Sequence, residues 1–174
     1  MAKPTIALAA VVEGLELKQA VHDHLQNIGY GVLDLGCYAT DRFVTYPSVG
    51  ERLAYALRTG EAELGVVFCS YGSSACAGVA KFQGVCAFAS ASVRTAEMCR
   101  KLNGANVLCM GQAIVDPEVA CEMVSAFANA EFLDMEGVSE EIQDFHRKAR
   151  DELMARGDIP RPRELEALGS MSTR

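Results

Sequence analysis

Short apolar runs rich in β-branched residues alternate along the chain with longer segments whose apolar positions recur every three to four residues. An unbroken apolar run of strand length marks a strand, and a period near 3.6 marks an amphipathic helix. On this basis "TIALAAVV" (5–12) is predicted as the first strand. Residues 14–28 follow as a helix with Leu17, Val21, Leu25 and Ile28 on one face. "YGVLDLG" (30–36) is a second strand. "TYPSVGERLAYALRTG" (45–60) is a helix with Pro47 near its start and Gly60 as its stop. "ELGVVFC" (63–69) is almost wholly apolar, the pattern of a strand covered on both faces. Residues 74–82 read as a helix, "GVCAFA" (84–89) as a strand, 92–102 as a helix and "ANVLCMG" (105–111) as a strand. "VDPEVACEMVSAFANAEF" (115–132) is a helix with Asp116 as N-cap and Pro117 at its first position.

Strict alternation of strand and helix implies right-handed crossovers and a parallel sheet covered on both faces. The expected fold is α/β, a three-layer α/β/α Rossmann-like domain on a five-stranded parallel sheet, spanning residues 1–136. From residue 137 the composition becomes charged. "GVSEEIQDFHRKARDELMARG" (137–157) is expected as a C-terminal extension helix capped by Ser139, with Ile142, Phe145, Ala149 and Leu153 as a narrow apolar stripe. Such a helix packs on a second subunit or lies along its own domain. Residues 158–174 read as a partly disordered tail.

Composition narrows the classes of function. The 174 residues suffice for one domain with a core that needs neither disulfides nor metals. Half the residues are hydrophobic, yet every apolar run is too short to span a membrane or serve as a signal peptide, so a cytoplasmic location is expected. A net charge of −7 argues against nucleic-acid and anionic-membrane partners. The seven cysteines show no CxxC and no Cys/His ligand spacing. They read as reduced thiols, mostly core hydrophobes, with no metal or other cofactor expected.

One stretch carries chemistry. In "FCSYGSSACAGVA" (68–80) the third strand ends in Cys69, and Ser70, Tyr71, Gly72, Ser73 and Ser74 lead into a helix. Ligands of open parallel sheets bind beyond the carboxyl ends of strands, and a helix start offers unpaired N–H groups. A buried cysteine followed by an ordinary turn is the plain alternative. The histidines are weaker candidates: His22 and His24 read as a solvated helix face, and His146 as a surface or interface residue. Cys76 and Cys86 read as core.

The ordered set "TIALAAVVEGLELK", "GYGVLDLG", "VTYPSVGERLAYAL", "GEAELGVVFCSYGSS", "KFQGVCA" and "LNGANVLCMG" resembles the family of ribose-5-phosphate isomerase B and the galactose-6-phosphate isomerase subunits, over residues 5–132. The resemblance implies aldose–ketose interconversion through a cis-enediol without metal, and a site lying between two subunits. It assigns Cys69 as the group that moves the proton between C1 and C2, and the loop after it as the enediolate cradle. Gly72, Tyr46 and Asn103 also keep the family's residue type. Elsewhere the pattern departs. The family's Asp-His pair falls on Val11 and Val12, its ring-opening His on Leu102 and its phosphate Arg on Ala113. "SYGSS" replaces the Gly-rich loop, and "EGVSEE" replaces a C-terminal "GGRH" segment.

Each general acid or base contributes about 10²–10⁴-fold, so a chain without these groups is not expected to act efficiently on ribose 5-phosphate. A four-carbon sugar phosphorylated on its terminal oxygen cannot close a furanose and needs no ring-opening His. The primary expectation is therefore a divergent sugar-phosphate isomerase with Cys69 as base and a sugar or sugar phosphate as ligand. It would work as a homodimer, as a larger assembly of dimers, or with a related chain. Arg42, Arg94, Arg147 and Arg150 are the cations available to replace the missing clamp. The alternatives are an inactive subunit of a hetero-oligomeric isomerase, or a binding protein or other enzyme whose pocket Val11, Val12, Tyr71 and Leu102 make apolar.

Overall fold

Strand β1 (Thr5–Ala10) is followed by a 3₁₀ turn (Val12–Gly14) and helix α1 (Leu15–Asn27), and β2 (Gly31–Asp34) by α2 (Tyr46–Thr59). Next come β3 (Leu64–Cys69), α3 (Ser73–Val79), β4 (Ala87–Ala89) and α4 (Val93–Asn103). The order closes with β5 (Val107–Gly111), α5 (Pro117–Asn129) and α6 (Glu140–Met154). The structure is a computed structural model and describes residues 3–162. The five strands are all parallel, in the order β2-β1-β3-β5-β4. This is the expected α/β architecture.

Central strand β3 is buried along its whole length, which is why its sequence is apolar without alternation. Its period of two still sorts side chains between the layers. Leu64, Val66 and Phe68 meet α1, α4 and α5 through Leu17, Val21, Leu25, Ala96, Met123 and Phe127. Val67 and Cys69 face the opposite layer, where α2 and α3 contribute Val49, Leu53, Ala75 and Val79. Each large apolar side chain so buried contributes roughly 1.5–3 kcal/mol.

Helix ends follow local chemistry. Thr45 Oγ1 accepts the Ser48 N–H at 3.4 Å to cap α2, which stops at Gly60 in the left-handed region (φ 78°). Lys18, only 1 % exposed, ties α1 to the loop after β2. Its Nζ reaches Asp34 Oδ1 at 2.6 Å, Asp34 Oδ2 at 2.7 Å and the Cys37 carbonyl at 2.9 Å.

Several expectations are corrected. The first strand ends at Ala10: Val11 N–H donates to the Phe68 carbonyl at 3.2 Å, and the chain folds into the 3₁₀ turn. The fourth strand is shorter than predicted. The Asn106 side chain takes the Cys86 N–H and donates to the Gly84 carbonyl, both at 2.8 Å, in place of ladder bonds. Helix α3 stops at Val79 because the chain beyond it pairs with the tail. Gln83 N–H donates to Asp158 O at 2.9 Å, and Asp158 N–H to Lys81 O at 2.8 Å. The start of the tail is thus ordered against the body, with Pro160 buried and Arg161 N–H donating to Glu51 Oε1 at 3.3 Å. Residues 163–174 lie outside the described residues. Asp116 holds the N-cap position of α5, but its side chain makes no capping bond. His24 is not a solvated residue: its Nε2 lies 2.7 Å from Ser125 Oγ and pins α1 to α5. His22 is half-buried beside Asp23.

Ser139 caps α6 as expected, accepting the Ile142 N–H at 3.5 Å. The helix touches the body through Arg150, stacked 5.2 Å from the Phe132 ring, and through Met154. Its apolar stripe stays exposed, with Phe145 at 66 %, Ile142 at 50 % and Leu153 at 46 %. Among the described residues no helix is long and apolar enough to cross a membrane.

Candidate active site

In this strand order β1 and β3 are neighbours whose connections leave in opposite directions, β1 toward the β2 edge and β3 toward β5. The crevice at their carboxyl ends is the topological switch point, where open α/β sheets bind ligands. Register pairs Ala10 with Phe68, so the turn after β1 and the loop after β3 leave the sheet side by side. Gly14 allows the close approach: a Cβ there would lie 2.5 Å from the Phe68 carbonyl carbon.

Cys69 ends β3 on the α2/α3 side of the sheet and is 2 % exposed. The chain then turns through Gly72 at φ 79°, a conformation suited to glycine, and its N–H donates to Cys69 Sγ at 3.1 Å. An N–H aimed at sulfur stabilises negative charge on it. The loop after β5 braces this turn, with Gln112 N–H on the Cys69 carbonyl and Ala113 N–H on the Ser70 carbonyl, both at 2.9 Å. In front of the sulfur lies a cavity of about 420 Å³. Val11, Phe43 and Val44 make its apolar wall; Glu13, Thr45, Tyr46, Ser70 and Ser74 supply the polar groups around Cys69. Its volume falls in the usual range for small-molecule sites, about 300–1,000 Å³.

The structure brings together Cys69, Val11, Tyr46, Ser70 and Ser74, with Gly72 and Ser73 in the supporting turn. Val12 lies in the 3₁₀ turn without lining the cavity, and Tyr71 is 67 % exposed outside it. Within one chain Leu102 and Asn103 lie at the opposite end of the sheet from Cys69. Gly65 pairs with Val107 and Cys69 with Gly111, so the end of α4 precedes the amino end of β5. Four residues of strand separate the two levels by about 13 Å. Of Val11, Val12, Tyr71 and Leu102, the four positions expected to make the pocket apolar, a single chain brings Val11 to the cavity wall. Ala113 is beside the Cys69 loop but has no side-chain donor. Arg42, Arg94, Arg147 and Arg150 do not line the cavity. The start of α1 is already capped, since Gln112 Oε1 accepts Glu16 N–H at 3.1 Å and Leu17 N–H at 3.2 Å.

Glu13, Phe43, Val44 and Thr45 were not singled out by the sequence. The signal for Glu13 was its place just after β1, a strand whose carboxyl end shares the crevice. The other thiols divide by environment. Cys76, half-buried on α3, is pulled down to about 7 by a hydrogen bond from the Cys109 thiol. Cys109 itself is pushed well up by that bond and by burial. Burial also raises Cys86, and lifts Cys99 to about 11.

Comparison with known proteins agrees with this architecture. A family profile described as Ribose/Galactose Isomerase matches residues 6–144. A D-erythrulose-4-phosphate isomerase of Pectobacterium atrosepticum is 32 % identical over 128 residues, 74 % of this chain and 84 % of that protein. A 4-deoxy-4-sulfo-D-erythrose isomerase of a Clostridium strain is 30 % identical over 142 residues, 82 % and 88 % of the two chains. The solved structure of ribose-5-phosphate isomerase B from Clostridium thermocellum superposes with a TM-score of 0.76 at 28 % identity, covering 85 % of this chain and 96 % of that one. The extent of these matches and the shared parallel-sheet fold establish that the chain belongs to the ribose/galactose isomerase family.

Proposed function

We propose that this protein interconverts the aldose and ketose forms of a four-carbon sugar bearing a terminal anionic group, with Cys69 as the base at carbon. The observation that carries this reading is Cys69 Sγ, buried at the switch point, hydrogen-bonded by Gly72 N–H at 3.1 Å and facing the cavity. The thiolate moves a proton between C1 and C2 through a cis-enediol. The amides of Ser73 and Ser74 have no acceptor within their own helix and, with the Ser70 and Ser74 hydroxyls, hold the enediolate oxygen. One such donor is worth about 10²–10³-fold in rate.

The substrate class follows from what the site lacks. Among the described residues the cavity wall holds no His, and Val11 stands where the family has an acidic residue, so the substrate reacts as it stands in open form. A four-carbon sugar blocked at position 4 cannot close a furanose. Two relatives carry names that specify such substrates, D-erythrulose 4-phosphate and 4-deoxy-4-sulfo-D-erythrose. Among the described residues the cavity wall contains no Arg, Lys or His, so the terminal anion is met by a group from outside that wall. A second subunit is its source in our reading. The exposed stripe of α6 is the surface that subunit covers.

The test is turnover of D-erythrulose 4-phosphate, followed by NMR, beside ribose 5-phosphate. The four-carbon substrate is expected to be preferred by at least about 10²-fold, the worth of one ring-opening acid or base. Cys69→Ala should abolish its conversion. Equal efficiency on ribose 5-phosphate refutes the open-form argument, and full activity of Cys69→Ala removes the thiol from the mechanism.

A further inference from the structure

An enediol route moves two protons: one between the carbons, and one between the hydroxyl and carbonyl oxygens. Cys69 accounts for the first. We propose that Glu13 carries the second, as a catalytic residue shuttling a proton between O1 and O2; this rests on the isomerase reading above.

Glu13 lines the same cavity as Cys69 and sits in the turn that leaves β1 beside the end of β3. That turn is held at both ends, by Val11 N–H on Phe68 O at 3.2 Å and Gly14 N–H on Val11 O at 3.0 Å. Its closeness to β3 depends on Gly14, whose added Cβ would meet the Phe68 backbone at 2.5 Å. The carboxylate has no hydrogen-bond or ion-pair partner among the described residues, so it is free for a ligand. Thr45 Oγ1 already donates to Ser48 Oγ at 2.9 Å, and the Ser70 and Ser74 hydroxyls and the Tyr46 phenol act as donors rather than as proton carriers. A carboxylate is the group there that accepts a proton and returns it.

In the ketose-to-aldose direction the Cys69 thiolate takes the proton from C1. The C–H electrons form the C1=C2 bond, and O2 becomes an oxyanion. The Glu13 carboxylate takes the O1 proton and delivers it to O2. C2 then takes the proton from the Cys69 thiol as O1 reforms the carbonyl. Thiolate and carboxylate are both regenerated, and no redox partner is consumed.

The experiment follows D-erythrulose 4-phosphate in D₂O with wild type, Glu13→Gln, Glu13→Asp and Cys69→Ala. Two rates are read by proton NMR, conversion to the aldose and loss of the C1 proton signals to solvent. Glu13→Gln is expected to lose about 10²-fold or more in kcat while exchange at C1 falls less than tenfold, so the ratio of exchange to conversion rises at least about tenfold. Glu13→Asp should restore part of the conversion. A merely structural role would lower both rates together, and that outcome overturns the proposal. So does conversion by Glu13→Gln within threefold of wild type, and if Cys69→Ala is then inactive, the isomerase reading stands while the Glu13 role falls. A wild-type chain that converts no four-carbon sugar phosphate overturns both.

Discussion

Replacing Lys18 by Met removes a buried charge while keeping the length and most of the volume of the side chain. Lys18 Nζ donates to Asp34 Oδ1 at 2.6 Å, Asp34 Oδ2 at 2.7 Å and Cys37 O at 2.9 Å. At an effective dielectric near 20, two unit charges this close attract by roughly 6 kcal/mol before desolvation is subtracted. Removing one partner of a buried pair costs about 3–5 kcal/mol, because the other charge is left uncompensated. Here Asp34 is 26 % exposed and still accepts the Gly36 N–H at 3.2 Å, which favours the lower end of that range. The expected loss is therefore about 3 kcal/mol, or roughly 6–12 °C in Tm for a chain of this size. Urea unfolding at neutral pH, backed by a thermal scan, measures it. The double variant Lys18→Met/Asp34→Asn removes both charges but retains an acceptor for Gly36. It should be at least about 1 kcal/mol more stable than the sum of the single losses implies. A loss below about 1 kcal/mol in Lys18→Met, or strict additivity in the cycle, would refute the reasoning. The consequence reaches the site, since the loop that Lys18 anchors continues to Phe43, Val44 and Thr45 in the cavity wall.

Two further outcomes are expected. Alkylation mapped by peptide mass spectrometry should modify Cys76 with a rate that rises through about pH 7 and then levels, because the thiolate is the reactive form and its pKa is lowered. Cys99, lifted to about 11, and Cys109, raised well above the ordinary thiol range, should stay slow across that interval; a Cys76 midpoint above pH 8.5 contradicts the Cys109 hydrogen bond as its cause. On α6, Ile142→Glu with Phe145→Glu should leave the fold intact by circular dichroism yet weaken self-association. Two buried side chains at roughly 1.5–3 kcal/mol each correspond to a roughly 100- to 10,000-fold larger dissociation constant in sedimentation. Identical sedimentation of variant and wild type would mean that a second copy does not cover this stripe.

Much of this protein is decided locally. The all-apolar run ending at Cys69 is a central strand because both its faces need covering. The 3.6-residue spacing of Leu17, Val21 and Leu25 makes a one-sided helix, and Thr45, Gly60 and Ser139 punctuate helices by bonds to their immediate neighbours. Cys69 was visible as a candidate site residue for the same reason: a strand's carboxyl end can be read from where its apolar run stops. What the sequence alone left undetermined are the contacts made by register and crossover. The pairing of Ala10 with Phe68 brings Glu13 to the same cavity as Cys69, although nothing in the local pattern around Glu13 distinguishes it from a surface residue. Strand direction carries Leu102 and Asn103 to the opposite end of the sheet, although the motif that contains them belongs to the same family pattern. His24 met Ser125, and the tail met Lys81 and Gln83, through segments far apart in the chain. Periodicity reports which face of an element is buried; it holds no record of which element arrives there, and in this protein that arrival builds the cavity.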